Sequence, residues 1–325
     1  MKQSIQRIGV LTTGGDASGM NPAIRAVVRT ALGMGIETMG IRRGNRGLYE
    51  GDAFKMNART VGGIINFGGT ILKTKRFPEF REKQVRQQAY KNVKRDQLDG
   101  LVIIGGDGSA RGAYEIHSEF GVPVVLIPAS IDNDVYGTDF TLGFDTAVNN
   151  AVDAVDKIRD TAHSHNRTFI VEVMGKEKGN LALEVAIACG AEIVLVPEIE
   201  ADWNKVFTSL EDQKKRGKVS SLIILAEGAG KAQNVAKLLE EKFPEREIRF
   251  SVLGHIQRGG NPSAFSRSLA TKFGVEAVKM LRNGFYSHLV GYKDGQINCI
   301  PLQEVISNQK TLPMKDVEIL DRMAT

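Results

Sequence analysis

Two aspartates lie two positions apart just after an apolar run, and a serine lies two positions before the first. They are Asp132, Asp134 and Ser130, and the run is residues 122–127. Because Pro128 cannot donate to a sheet ladder, we expect a buried strand over residues 122–127 to end there. Open α/β sheets bind ligands past the carboxyl ends of their strands. Two carboxylates and a hydroxyl at such a place can bind a metal ion or take an alcohol's proton, and an Asx-rich turn is the structural alternative.

The tripeptide Gly-Gly-Asp occurs twice, each time between an apolar strand and a helix. It occupies residues 14–16, after a predicted strand over 8–12, and residues 105–107, after one over 100–104. Such turns offer free backbone N–H groups to a phosphate, although neither is a Walker A or GxGxxG motif. Two of them at neighbouring strand ends, with the aspartates at a third, indicate one cleft for phosphate and metal.

Hydroxyl and cationic side chains also crowd into residues 68–78, which read GGTILKTKRFP. Pro78 breaks regular structure, so this segment is predicted to be a loop. Its composition suits a polyphosphate ligand better than a protein core. Across the chain, strands alternate with helices, which predicts an α/β architecture with parallel sheets, in two domains with the cleft between them.

Composition excludes several classes of function. The chain has 325 residues, is 42% hydrophobic and 25% charged, and carries a net charge of +5. Aromatic content is 6% and no nucleic-acid motif is present, and small anionic ligands such as phosphates explain the charge as well as nucleic acid does. Two cysteines without CxxC spacing, no apolar run of membrane-spanning length and no room for a signal peptide predict a cytoplasmic protein.

Six motifs occur in register over nearly the whole chain. They are TTGGDASGMN at residues 12–21, RFPEFR at 76–81, GGDGS at 105–109, SIDND at 130–134, VEVMG at 171–175 and GHIQRGG at 254–260. In this order they resemble the bacterial ATP-dependent 6-phosphofructokinases of the type A family, group I. The resemblance implies two Rossmann-like, three-layer domains with mostly parallel sheets and the active site in the cleft between them. It places an ATP-binding domain at residues 1–143 and 257–308, and a fructose 6-phosphate-binding domain at 144–256 and 309–325.

The resemblance also implies an activity, which is transfer of the γ-phosphoryl group of ATP to the 1-hydroxyl of fructose 6-phosphate in glycolysis. Asp132 would take the hydroxyl proton, and Ser130, Asp134 and Lys176 would complete the catalytic set. ATP would be the co-substrate and Mg²⁺ the cofactor, with Asp107 as the metal ligand. The residues implied for ATP are Gly15, Arg76, Phe77, Gly106, Asp107, Gly108 and Ser109.

Fructose 6-phosphate binding is implied for a larger set: Ser130, Ile131, Asp132, Arg167, Met174, Gly175, Lys176, Glu227, Arg249, His255 and Arg258. Of these, Arg167 and Arg249 would reach the sugar phosphate from a neighbouring subunit, since the planar arginine fork pairs well with phosphate. The resemblance therefore implies a homotetramer with shared active sites, and no nucleic-acid or membrane partner.

An effector site for ADP or phosphoenolpyruvate is implied as well. Its residues would be Arg25, Arg29, Arg159, Gly190, Glu192, Arg216 and Lys218. Ala58, Gly63 and Val219 depart from the pattern, since relatives have arginine, aspartate and lysine there, and this leaves the strength and sign of regulation open. Other departures are Ser130 for threonine, Lys176 for arginine, and Asn45 where some relatives stack a tyrosine on adenine.

Two alternative functions compete with an ATP-dependent kinase. Pyrophosphate-dependent relatives typically carry aspartate in place of Gly108 and lysine in place of Ala129, and both positions are small here. A non-catalytic paralogue that binds sugar phosphates is disfavoured by the intact Asp107, Asp132 and Asp134. A role in nucleic-acid binding ranks last.

Overall fold

The structure, a computed structural model, describes residues 5–165, 167–218 and 220–323. The strands in these residues are β1 (Arg7–Thr12), β2 (Glu37–Ile41), β3 (Ala53–Met56), β4 (Gly100–Gly105), β5 (Val124–Ser130), β6 (Leu142–Gly143), β7 (Thr168–Val173), β8 (Ile193–Leu195), β9 (Ser221–Ala226), β10 (Ile248–Val252), β11 (His288–Lys293) and β12 (Gln296–Pro301). The α-helices are α1 (Met20–Gly33), α2 (Asn45–Glu50), α3 (Lys83–Arg95), α4 (Asp107–Phe120), α5 (Phe144–His165), α6 (Asn180–Cys189), α7 (Trp203–Lys215), α8 (Ala232–Lys242), α9 (Ala264–Asn283), α10 (Leu302–Ser307) and α11 (Met314–Met323).

The chain forms two compact units. Unit 1 comprises Met1–Thr146 and Arg258–Lys310, and unit 2 comprises Ala147–Gln257 and Thr311–Thr325. The strand order in unit 1 is β12-β11-β5-β4-β1-β2-β3, with β6 paired to the end of β5. Parallel pairs form its centre, and the antiparallel pairs β11–β12 and β2–β3 lie at its two edges. The predicted α/β class with a mostly parallel sheet is therefore confirmed.

Helices cover both faces of the unit 1 sheet. Alternate strand residues such as Leu11, Ile103 and Leu126 pack with apolar residues of α2, α3, α4 and α10 in one buried cluster. Their neighbours along the strands point to the opposite face, where α1 and α9 pack against each other and against the sheet. This arrangement accounts for the near-continuous apolar sequence of β4 and β5, which are buried on both faces.

The unit 2 sheet has the order β10-β7-β9-β8, with parallel pairing between each pair of neighbours. Strand residues Ile170, Ile223 and Leu225 pack against α7 and α8 in a second buried cluster. Helix α6 packs against β8 and β9, and α11 packs against α6. Strand β10 lies at the sheet's edge with Phe250 and Val252 exposed.

One local prediction from the sequence was wrong. Strand β5 does not end at Pro128 but continues to Ser130, because the pairing partner changes there: Pro128 is the last residue opposite β4, and Ala129 pairs with Leu142 of β6. Helix α2 begins at Asn45, shortly after β2 ends at Ile41. No helix within the described residues is long and apolar enough to cross a membrane.

Candidate active site

The ends of three adjacent strands bring the predicted phosphate turns together. Strand β4 lies between β1 and β5, so the turns after β1 and β4 are neighbours. The Thr13 backbone N–H donates to the Ile104 carbonyl at 2.9 Å, which joins the two turns directly. The predicted proximity of the two Gly-Gly-Asp turns is therefore confirmed.

Glycine is required at the junction of these turns. A Cβ atom at Gly105 would lie 2.3 Å from Ser109 Oγ and 2.6 Å from the Thr13 carbonyl oxygen. Gly106, the next residue, precedes helix α4, whose first residues are Asp107, Gly108 and Ser109. The packing thus leaves backbone N–H groups at a helix N-terminus facing the space beyond the sheet, an arrangement that favours an anion.

Residues 130–134, here called the carboxylate loop, follow β5 directly. Ser130 Oγ donates to Asp134 Oδ1 at 2.9 Å and accepts from the Asp132 backbone N–H at 3.1 Å. Asp132 is 2% exposed, and Asp134 is half-buried. The serine hydroxyl therefore sets the geometry of a loop that carries two carboxylates.

Asn133 separates the two aspartates in a left-handed backbone conformation, with φ of 50°. Asparagine tolerates this region better than most residues, and hydrogen bonds of its side chain hold it there. Its Nδ2 donates to the Asp139 carbonyl at 2.8 Å, and its Oδ1 accepts from the Thr141 backbone N–H at 3.0 Å. The turn chemistry expected as the alternative is thus present, and it positions the two carboxylates.

The loop over residues 68–78 is attached to the turn after β1. Asn21 Oδ1 accepts the Ile71 N–H at 2.8 Å, and Thr74 Oγ1 donates to the Gly14 carbonyl at 2.8 Å. These bonds hold Arg76 and Phe77 in the same unit as the glycine turns, with Arg76 exposed and Phe77 half-buried.

A buried arginine that was not predicted from the sequence holds the segment that follows this loop. Arg86 is 4% exposed; it donates to the Phe80 carbonyl at 2.8 Å and pairs with Glu119 through two hydrogen bonds of 2.8 and 2.6 Å. The guanidinium hydrogen bond lowers the pKa of Glu119 below its usual value. Helix α3 is so polar in sequence that nothing marks this arginine as buried.

Arg258 lies beside the first glycine turn. Its NH1 donates to the Asp16 carbonyl at 3.3 Å, and a Cβ atom at Gly15 would lie 2.9 Å from that nitrogen. The sequence analysis assigned Gly15 to the nucleotide and Arg258 to the sugar phosphate. Both belong to unit 1 and are neighbours there, so this guanidinium can offset the charge of a phosphate at the turn.

In unit 2, the predicted substrate residues at the end of β7 are held by two buried or half-buried side chains. Glu227 Oε1 accepts the backbone N–H groups of Gly175 and Lys176 at 3.1 and 2.8 Å. Gln257 Oε1 accepts the Met174 N–H at 2.9 Å. Lys176 itself is exposed and has a φ of 53°. The sequence analysis missed Gln257, although it lies inside the GHIQRGG motif.

The two arginines expected to serve a neighbouring subunit share one carboxylate. Glu247 Oε1 lies 2.8 Å from Arg167 NH2 and 2.6 Å from Arg249 NH2. His255, another predicted substrate residue of unit 2, is exposed in the 3-10 helix Gly254–Arg258. The remaining predicted substrate residues, including Ile131, belong to unit 1.

Part of the predicted effector site lines a cavity of about 560 Å³ in unit 2. Arg159, Glu192 and Lys218 all contribute to its wall. Lys218 pairs with Glu192, and Arg159 donates to the Cys189 carbonyl, next to Gly190. The cations are therefore already engaged by groups of the protein.

The other predicted effector residues are spread over both units. Arg25 and Arg29 lie on α1 in unit 1, and Arg216 is exposed at the end of α7 in unit 2. Ala58 and Gly63 are exposed, and Gly63 has a φ of 70°, where an aspartate would be strained. Val219 lies outside the described residues.

The family resemblance implies Mg²⁺, and the carboxylates of the site are its potential ligands. Among the described residues, no group of three or more His, Cys, Asp or Glu side chains could hold a metal. Mg²⁺ bound with a nucleotide usually needs only one or two carboxylates, since phosphates and waters supply the other oxygens. Asp107, exposed at the start of α4, fits that role.

Asn45 occupies the position where some relatives stack a tyrosine on adenine, and here that position is buried. It is 8% exposed at the first position of α2, and its Nδ2 lies 3.6 Å from the place of a Cβ atom at Gly112. Phe80 packs against the same glycine.

Comparisons with known proteins agree with this geometry. The model of the phosphofructokinase family matches residues 7–281, and the chain belongs to that family. It is 50% identical over 303 residues to the ATP-dependent 6-phosphofructokinase of Clostridium acetobutylicum, covering 93% of this chain and 94% of that protein.

Solved structures have the same fold. The phosphofructokinase of Saccharomyces cerevisiae superposes with a TM-score of 0.86 at 34% identity over 98% of this chain, and the match spans about half (47%) of the yeast chain. The pyrophosphate-dependent phosphofructokinase of Marinobacter aquaeolei superposes with a TM-score of 0.84 over 98% of this chain and 91% of that one. Its identity of 21% supports the fold alone.

Proposed function

We propose that this protein transfers the γ-phosphoryl group of ATP to the 1-hydroxyl of fructose 6-phosphate, giving fructose 1,6-bisphosphate and ADP. The observation that carries the proposal is the position of the carboxylate loop. It follows β5, which pairs with β4, and β4 pairs in turn with β1, so the loop and both glycine turns follow three consecutive strands of one sheet. A proton acceptor therefore lies next to backbone groups suited to phosphate. The Clostridium acetobutylicum relative is named for this activity.

Asp132 accepts the proton of the 1-hydroxyl while the oxygen of that hydroxyl attacks the γ-phosphorus of ATP. The bond from that phosphorus to the β–γ bridging oxygen breaks, and ADP leaves with the electron pair. Ser130 fixes the backbone of Asp132 and one oxygen of Asp134, so the acceptor meets the hydroxyl in a set orientation. Phosphoryl transfer needs little covalent chemistry from a protein, and positioning of this kind supplies much of the rate.

Binding of ATP falls to unit 1 in this proposal. The backbone of Gly106 to Ser109 and the turn at Gly15 receive the phosphates, and Arg258 and Arg76 offset their charge. Asp107 would hold Mg²⁺, which would supply positive charge to offset that of the phosphates. Binding of fructose 6-phosphate draws on Met174, Gly175, Lys176, Glu227 and His255 of unit 2.

ATP is favoured over pyrophosphate by the space around the second glycine turn. A Cβ atom at Gly108 would meet nothing within 4 Å, so room remains for a group larger than pyrophosphate. An aspartate there would fill that room with negative charge.

A homotetramer with shared sites remains part of the proposal. Strand β10 presents a free edge with Phe250 and Val252 exposed, and Arg249 lies on the same strand. Exposed apolar residues on an edge strand favour pairing with another chain. A neighbouring copy at this edge brings Arg249 close to the joint between subunits.

The test is a coupled assay with fructose 6-phosphate that compares ATP, GTP and pyrophosphate as donors, with and without Mg²⁺. We expect turnover with ATP that depends on Mg²⁺, and none with pyrophosphate. Turnover with pyrophosphate alone would establish the competing enzyme. Binding of fructose 6-phosphate without turnover from any donor would establish the non-catalytic paralogue.

A further inference from the structure

Lys310 reaches a residue shortly after the carboxylate loop from a position far away in the sequence. It is the last residue of unit 1, three residues after α10. Its Nζ donates to the Asp139 carbonyl at 2.8 Å, across a sequence separation of 171 residues. Lys310 is half-buried and hydrogen-bonded to another part of the chain, so it differs from a solvated surface lysine.

The acceptor of Lys310 is the same carbonyl that anchors Asn133. Asn133 Nδ2 donates to the Asp139 oxygen at 2.8 Å, so two donors converge on one atom. Asn133 depends on such bonds, because its φ of 50° is unfavourable for a residue with a side chain. A shift of the Asp139 carbonyl would move Asn133, and with it the two neighbouring residues, Asp132 and Asp134.

The surroundings of Lys310 are acidic as well as buried. The charged groups that act on it are Asp139 and Asp134, which favour the ammonium form. Burial has the larger effect and lowers the pKa of Lys310 to about 8. The ammonium is thus mostly protonated at neutral pH and is lost as the pH rises through about 8.

We propose that Lys310 is a positioning residue for the carboxylate loop, holding the Asp139 carbonyl that orients Asn133 and placing a positive charge beside Asp134. The inference rests on the proposed function of Asp132 and Asp134. It gives Lys310 no contact with the substrate and no share in the proton transfer. The phosphates that approach this loop are anions, and a fixed cation at its base offsets their repulsion from Asp134.

The decisive variants are Lys310→Met, which keeps the length without the charge, and Lys310→Arg, which keeps the charge at all pH values used. Lys91→Met, at an exposed position on α3, is the matched control. We expect Lys310→Met to lower kcat by roughly 10–100-fold, since a small misplacement of a catalytic group is this costly. The KM values for both substrates should stay within about twofold, because Lys310 contacts neither. Lys310→Arg should restore most of the loss.

The pH profile separates this role from a merely structural one. In the wild type, kcat should fall above an apparent pKa of about 8, and in Lys310→Arg that fall should be absent. If Lys310→Met does not fold, the pH profiles of kcat for the wild type and Lys310→Arg test the inference by themselves. A Lys310→Arg profile that keeps the same fall, or a folded Lys310→Met with wild-type kcat, overturns the inference. A wild type that is inactive with every donor overturns the proposed function itself, and the inference with it.

Discussion

Ser130 donates its hydroxyl hydrogen to Asp134 Oδ1 at 2.9 Å, and this bond closes the carboxylate loop on itself. Ser130 Oγ also accepts the N–H of Asp132 at 3.1 Å. One hydroxyl therefore determines where both carboxylates lie. Threonine, the usual residue of the family at this position, offers the same hydroxyl, so the replacement by serine preserves the interaction.

Removal of this hydroxyl should slow the reaction. We expect Ser130→Ala to lower kcat by about tenfold, since a hydrogen bond to a charged group contributes roughly 1.5–3 kcal/mol. Ser130→Thr should remain within about twofold of the wild type because it keeps the hydroxyl. Steady-state kinetics of the two variants measure the difference. Equal rates for Ser130→Ala and Ser130→Thr would show that the bond has no part in turnover.

Glu227 should govern affinity for the sugar phosphate rather than for the nucleotide. Its Oε1 holds the N–H groups of Gly175 and Lys176, so Glu227→Ala releases the segment that ends β7. We expect the KM for fructose 6-phosphate to rise about 30-fold, with the KM for ATP unchanged, on the basis of about 1 kcal/mol for each of the two lost bonds. Glu227→Gln keeps an acceptor oxygen and should be closer to the wild type. A rise in the KM for ATP alone would contradict this assignment.

Arg86 should matter for stability, because it is buried with Glu119 and Glu115. Arg86→Met should lower the free energy of unfolding by about 3 kcal/mol at pH 7, as expected when a buried ion pair loses one partner. Arg46→Met removes an exposed pair with Glu50 and should cost less than about 1 kcal/mol. Urea unfolding of both variants measures the two values.

The effect of Arg86 should also depend on pH. Its hydrogen bond lowers the pKa of Glu119, so the stabilisation is complete above the unfolded-state pKa of that carboxyl. It is lost as the pH falls through the lower, folded-state value. The gap in stability between wild type and Arg86→Met should therefore narrow below about pH 4. A gap that is constant down to pH 2 would show that packing, and not charge, accounts for it.

The response to phosphoenolpyruvate or ADP should be weak. An effector shifts an equilibrium only by its differential affinity for two states. Ala58 supplies no cation, and Lys218 and Arg159 are already engaged by Glu192 and the Cys189 carbonyl. Saturation curves for fructose 6-phosphate with and without millimolar phosphoenolpyruvate measure the response. A large rightward shift with strong sigmoidality would show that the remaining cations suffice.

The sequence predicts well what depends on local pattern. The apolar runs of β1 and β4, and the glycine turns after them, could be located because their periodicity and turn chemistry are local. Pro128 misled the prediction of β5, since the change of partner from β4 to β6 depends on residues 142–143, beyond the strand.

Hydrogen bonds that hold the site together between residues far apart in the sequence could not be predicted in the same way. Arg86, Gln257 and Lys310 act through contacts with Glu119, Met174 and Asp139, which lie 33, 83 and 171 residues away. A polar residue on a polar segment carries no local sign that it will be buried. The roles of such residues are seen only in the folded structure, where their hydrogen-bond partners lie next to them.

The account depends most on Asp132 as the proton acceptor in transfer from ATP to fructose 6-phosphate. Asp132→Asn keeps the shape of the side chain but removes its basicity. We expect kcat to fall by ~10²–10⁴-fold, with binding of fructose 6-phosphate largely intact, because a general base acts in the transition state. Asp153→Asn, on the exposed side of α5, is the control and should match the wild type.

The most direct measurement is phosphorus NMR of the reaction mixture for wild type and Asp132→Asn, with ATP, Mg²⁺ and fructose 6-phosphate. In the wild type, a second sugar phosphate signal at carbon 1 should grow as the γ-phosphate signal of ATP disappears. In Asp132→Asn the same conversion should be slower by the factor given above. Formation of that signal at the wild-type rate in the variant, or its failure to form in the wild type, would contradict the account.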